Sequence, residues 1–230
     1  MLKQIPLLLL LSVVIVSCKQ STSPAGSNAT TYVQPKTGST FTFDQYATDT
    51  TTGLPVPGTR DTAVQTVVKT GMSYMGKTNV TEIIAFSSIG NDTSYFNYET
   101  NNDISQYGQW PLTTISFWTI LPVASKVANT VTIDTTLADS SGDTTKINAA
   151  STSSYVDQET MTVKGVPTNV IKIERVFSGG VPATPFLNEF FYYAPSLGFV
   201  AENLLPVQAA PIGSGLQQGS VSTLIDYTLK

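Results

Sequence analysis

The sequence predicts an all-β protein: a single curved antiparallel sheet or open β-barrel, preceded by a signal peptide and a flexible tether. Three observations carry this. Short runs of alternating apolar and polar residues recur from Ser39 to Leu229, separated by clusters of Gly, Pro, Asn and Asp. No long segment repeats its apolar residues with a helical period. Charged residues make up 12% of the chain against 41% hydrophobic, and the abundant Thr, Val, Ile, Tyr and Phe favour strands.

The chain opens with Met1-Leu2-Lys3-Gln4, then an apolar run from Ile5 to Val16, then Ser17-Cys18. The run is shorter than the ~20 residues a bilayer span needs. A basic start, a short apolar core and a small residue before the cut make a secretory signal. Ile15-Val16-Ser17-Cys18 resembles the lipobox of bacterial lipoproteins, in which the cysteine thiol receives a diacylglycerol and cleavage falls before it. The expected organisation is therefore a signal peptide over 1–17, lipidated Cys18 with a tether over 18–31, and an antiparallel β domain over 32–230. Residues 19–31 are small and polar, with Pro24 and Gly26, which suits a flexible spacer. Two or three acyl chains hold a protein stably on a bilayer. No acidic run follows Cys18, which favours an outer-membrane location facing the periplasm.

Strand-like segments then follow in order. Ser39–Thr48 alternates around Phe41 and Phe43, and Thr62–Ser73 puts Val64, Val68 and Met72 on one face. Met75-Gly76-Lys77 turns into Thr78–Ser87, and Ile89–Asp92 turns into Thr93–Glu99. Asn101-Asn102-Asp103 turns towards Tyr107. Trp110–Asn129, with Pro111 and Pro122, fits either a strand or a short helix. Val131–Leu137 alternates, Ser140–Asp143 closes a hairpin, and Gly165-Val166-Pro167 separates Glu159–Lys164 from Asn169–Phe177. A Gly- and Pro-containing loop over 178–186 leads to Leu187–Tyr193. Ala194–Gly198 turns into Phe199–Leu204. A loop over Val207–Gly219 precedes a last strand, Ser222–Leu229.

One register follows from alternation. Pairing Phe177 with Leu187 sets Arg175 opposite Glu189, Ile173 opposite Phe191 and Ile171 opposite Tyr193. Apolar meets apolar and cation meets anion, whereas a one-residue slip scatters the set. Arg175 and Glu189 are thus expected on an inward face, as a structural ion pair or as a polar anchor for a ligand head group.

Two motifs carry a family resemblance. Tyr32-Val33-Gln34-Pro35-Lys36-Thr37-Gly38-Ser39-Thr40-Phe41-Thr42-Phe43 is similar to the opening of a group of uncharacterised bacterial envelope lipoproteins, with a Pro, a Gly, then alternating aromatics. Phe191-Tyr192-Tyr193-Ala194-Pro195-Ser196-Leu197-Gly198-Phe199-Val200 resembles their late hairpin, with Ser196-Leu197-Gly198 in place of a Gly-Val-Gly-like turn. The resemblance implies a curved sheet or open barrel in an envelope lipoprotein. It implies no activity and carries over no catalytic residue.

The chemistry available is narrow. With no histidine, and Cys18 as the one cysteine, a Ser-His-Asp or Cys-His arrangement cannot form. No catalytic, cofactor-binding or metal-binding residue is assigned, and no cofactor is expected. Asp139, Ser141 and Asp143 have calcium-loop spacing, but Thr144 and Ala150 stand where that loop needs Gly and an acid, so a turn is the simpler reading. Asp157 and Glu159 could face one way on a strand, as a carboxylate-dependent polysaccharide hydrolase requires. The net charge of −4, with no basic run, argues against nucleic acid or an anionic lipid surface as partner. Phe190–Tyr193, Trp110, Phe117 and Trp118 could line an apolar concavity. The leading expectation is a membrane-anchored, non-enzymatic binding or scaffold domain, its partners being the bilayer through acylated Cys18 and a hydrophobic ligand or another envelope protein. The alternatives are the hydrolase and a structural or adhesive surface protein.

Overall fold

The computed structural model describes residues 32–88, 90–109, 116–138, 144–180, 183–206 and 218–230, among which there is no helix. The signal segment, Cys18, the tether and the Asp139–Asp143 turn lie outside them. Twelve strands run in chain order: β1 (Thr40–Thr48), β2 (Asp61–Tyr74), β3 (Lys77–Ser87), β4 (Gly90–Tyr98), β5 (Ile104–Gln109), β6 (Ser116–Leu121), β7 (Asn129–Ala138), β8 (Thr144–Val163), β9 (Val166–Gly180), β10 (Ala183–Ala194), β11 (Gly198–Leu204) and β12 (Gly219–Thr228). They form one antiparallel sheet in the order β6-β5-β4-β3-β2-β1-β12-β11-β10-β9-β8-β7. Because β1 pairs with both β2 and β12, the meander curls into a nearly closed barrel. Its seam lies between β6 and β7, which come close without sharing a ladder.

Local chemistry sets the hairpins. Met75-Gly76 and Lys164-Gly165 each have positive φ at both positions (43° and 81°, 50° and 76°), as a two-residue type I′ turn requires. Tyr74 pairs with Lys77 and Val163 with Val166, so these connections are as short as hairpins allow.

Within Trp110–Asn129, which fitted either a strand or a short helix, Ser116–Leu121 is a strand followed by a turn. In β2 Val64 and Val68 share one face as expected; it is the outward one, and Ala63 and Val67 point inward. Two segments depart from the sequence expectation. The loop expected over 178–186 is mostly ladder, with Gly180 opposite Ala183; Pro185 sits where the register shifts, a place a strand tolerates proline. Finally, β8 reaches back to Thr144, through a Thr- and Ser-rich stretch with few large apolar residues.

The interior is layered. Around one end, Phe41, Phe43, Val67 and Ile83 pack with Val163, Val170, Leu197 and Leu224. The middle layer joins Tyr32, Ile104, Leu121 and Val123 to Ile171, Ile173, Phe191 and Tyr193. At the other end Ala149, Phe177 and Leu187 pack with Phe117, Phe186 and Leu204. Residues 32–39 strap the first end. The Tyr32 hydroxyl donates to the Val123 carbonyl, Val33 N–H to the Pro195 carbonyl, Gln34 Nε2 to Thr81 Oγ1, and Gly38 N–H to the Val67 carbonyl. Burial, with Asp103 and Tyr155 nearby, pushes the Tyr32 phenol up to about 12. The tip of the β2–β3 hairpin folds back over the outer wall, where Trp118 Nε1 donates to the Met75 carbonyl at 3.0 Å. Tyr74 stacks on Tyr95 there at 3.8 Å and meets Tyr107 edge-on.

Candidate functional site

The site with the most concentrated chemistry lies inside the barrel between the middle and far apolar layers. Alternation along β9 turns Ile171, Ile173, Arg175 and Phe177 inward, and all four are buried. The β9–β10 register is Phe177 with Leu187, Arg175 with Glu189, Ile173 with Phe191 and Ile171 with Tyr193. Arg175 and Glu189 are therefore neighbours, with only 8% and 11% of their side chains exposed.

The Arg175 guanidinium is almost fully engaged. Nε donates to Glu189 Oε2 at 2.6 Å, and Nη2 lies 2.5 Å from the same oxygen. Nη1 donates to Gln106 Oε1 on β5 at 2.9 Å and to Thr119 Oγ1 on β6 at 3.1 Å, tying the two walls together across the interior. Its carbon sits 4.5 Å from the Phe191 ring centre and 5.1 Å from that of Phe177. Such ring contacts favour a desolvated cation.

A second acid completes the group. Glu202 on β11 lies opposite Phe191, on the inward face beside Glu189. Burial, and then the negative Glu189, push its carboxyl up to about 8, with Arg175 acting the other way. A side-chain hydrogen bond between Glu202 and Glu189 acts in the same upward direction. The nearby Tyr193 phenol is also pushed up, first by burial, then by Tyr98, Glu202 and Glu189, against the pull of Arg175. The buried hydroxyls of Ser151, Ser153 and Tyr193 have no hydrogen-bond partner. Ser153 lies directly opposite Arg175 on β8.

Of the sequence-selected residues, Arg175 and Glu189 come together as expected. Asp157 and Glu159 do not form a site: both are exposed on β8, and Glu159 is taken up by Lys172 at 2.9 Å. Glu202, Gln106, Thr119 and Tyr193 were not legible as members of the group. A β-bulge explains Glu202. The ladder shifts between Tyr192 and Tyr193, and without that extra residue Glu202 would stand opposite outward-facing Phe190. Separately, a shallow cleft of about 360 Å³ opens at the strapped end, lined by Val166, Pro195, Leu197 and Tyr227 among others.

Among solved structures the chain is similar to a protein of Parabacteroides distasonis provisionally described as a lipoprotein. The match has a TM-score of 0.52 at 11% identity, covering 86% of this chain and 99% of that one. At that identity the likeness is one of fold. An exported protein of Bacteroides fragilis, provisionally so described and with a YmcC-like fold, gives a TM-score of 0.42 at 14% identity, with the same coverage. The hypothetical lipoprotein YmcC of Escherichia coli gives 0.42 at 10% identity, covering 84% of this chain and 89% of that one. No family model and no curated protein matches the sequence.

Proposed function

We propose that this chain is a lipid-anchored protein of the bacterial envelope, held on the outer membrane through acylated Cys18, and that its barrel is a non-enzymatic scaffold for an envelope partner. The observation that carries the scaffold reading is the engagement of Arg175. Its donors go to Glu189, Gln106 and Thr119, and both its faces meet phenylalanine rings, so the group fastens the two walls of the barrel to each other. The anchoring reading is supported by the lipobox-like Ile15–Cys18 and by the description of the Parabacteroides protein that shares the fold.

A second reading, a hydrophobic ligand with a polar head, is favoured by the unpartnered hydroxyls of Ser151, Ser153 and Tyr193 beside the aromatic layer. Buried polar atoms normally have partners, and a ligand or water would supply them. Native mass spectrometry of the purified protein separates the two. A scaffold shows the mass of the acylated chain alone. A ligand binder shows a stoichiometric extra mass that Ser153→Val loses. Turnover of envelope polysaccharide, abolished by Glu159→Gln, would overturn both in favour of the hydrolase.

A further inference from the structure

We infer that the strapped end of the barrel is itself a membrane-contacting surface, fitted to the headgroup and upper acyl region of the bilayer that holds Cys18; this rests on the anchoring reading above. The described chain starts at this end, with Tyr32 buried in the core and Val33 bonded to the Pro195 carbonyl. Between Cys18 and Tyr32 lie 13 residues. Thirteen residues reach at most about 45 Å when fully extended. An acyl group on Cys18 therefore holds this end next to the lipid.

The surface it presents suits that neighbour. Val33, Val127, Val166 and Leu229 are large apolar side chains left 43–69% exposed there. Val127 belongs to the β6–β7 connection, whose Val123 carbonyl takes the Tyr32 hydroxyl. Val166 opens β9 at the turn whose Lys164 reaches the Tyr227 carbonyl on β12. Four exposed lysines, Lys36, Lys126, Lys164 and Lys230, are interspersed among them. Lysine stems lie along apolar surface while their ammonium groups reach phosphate, the composition of an interfacial face. Lys126 is pre-positioned 4.5 Å from the ring centre of Tyr155, and Lys164, 5.0 Å from that of Tyr227, balances Asp226 at 2.6 Å, so that carboxylate does not repel the lipid. Towards the opposite end lie Asp44, paired with Arg60 at 2.7 Å, and Asp49, Asp61 and Asp92, which keeps these four carboxylates away from the lipid.

The test uses the mature lipoprotein in vesicles of phosphatidylethanolamine and phosphatidylglycerol. Cys18 is blocked by its acyl group, so Val127→Cys, Val166→Cys and, as a control at the far end, Leu54→Cys each carry one thiol for an environment-sensitive fluorophore. The expected result is a blue shift and strong quenching by nitroxide lipids at 127 and 166, and neither at 54. Equal quenching at all three positions, or none at 127 and 166, overturns the proposal. A blue shift that needs no vesicles and grows with protein concentration assigns the face to a second copy of the chain and overturns it too. The mass of the N-terminal peptide, read on the same sample, keeps the two claims apart. An acylated chain with unquenched labels defeats the contact surface alone, and an unmodified Cys18 defeats the anchoring reading.

Discussion

Replacing Arg175 by Met removes the charge while keeping most of the side-chain volume between Phe177 and Phe191. The guanidinium is 8% exposed and its partner Glu189 11%, so the values for buried pairs apply. Removing one member of such a pair costs about 3–5 kcal/mol, because the other charge is stranded. The lost bonds to Gln106 and Thr119 add about 1 kcal/mol each at most, and Met recovers part of the apolar contact. A net loss of about 4 kcal/mol is expected, read as a lower midpoint in urea denaturation of the detergent-solubilised mature chain. The double variant Arg175→Met/Glu189→Leu strands no charge. Beyond the bonds to Gln106 and Thr119, which both variants lose, it leaves the Glu202 carboxyl without its partner, a cost of about 1–2 kcal/mol. The double variant should therefore be more stable than Arg175→Met alone, with a coupling energy of about 2 kcal/mol or more. A loss under about 1 kcal/mol for Arg175→Met, or strict additivity in the double variant, would refute a charge pair that matters to the fold.

Glu202 gives a pH test. Its folded carboxyl titrates near 8 against an ordinary 4.5, so between these values the fold holds a proton that the unfolded chain has released. Stability should fall as pH rises from about 5 to about 8 and level off above. Glu202→Gln should remove that slope and be the more stable protein at pH 8 by about 2 kcal/mol, compared by urea midpoints at the two pH values. Gly165→Ala puts a side chain at φ +76° in open space and should cost about 1 kcal/mol, seen as a Tm drop of a few degrees. Gly219→Ala should cost about 3 kcal/mol or more by the same measure, because a Cβ there runs into the Leu204 carbonyl and the Thr48 hydroxyl. Asp103→Ala should loosen the β6–β7 connection by about 2 kcal/mol, since its carboxylate accepts from the Ala124 and Ser125 amides at 2.9 Å each; faster amide exchange there is the readout.

Unbroken strands could be read from the sequence, and irregularities could not. Asn169–Phe177 and Leu187–Tyr193 alternate without interruption, so their register and the meeting of Arg175 with Glu189 followed from side-chain matching alone. Glu202 escaped because one bulge reverses which face it takes. Gln106 and Thr119 escaped for a different reason. Their contact with Arg175 spans 69 and 56 positions and exists only once the sheet curls, which alternation does not encode. In β2, register shifts around Lys69 and Met72, with Gly71 at φ +70°, bend the hairpin tip onto Trp118. The Ser178–Phe186 stretch misled because Gly and Pro mark loops in general, whereas here Gly179 and Pro185 sit within a ladder near the end of two long strands.

Lipid anchoring through Cys18 is tested most directly by the mass of the N-terminal peptide from protein purified out of native membranes. A lipid-anchored chain gives a peptide that starts at Cys18, carries two or three acyl chains and contains none of residues 1–17, and Cys18→Ala moves the protein out of carbonate-washed membranes. A peptide that retains residues before Cys18, an unmodified Cys18, or a Cys18→Ala variant that stays in the washed membrane fraction would contradict it.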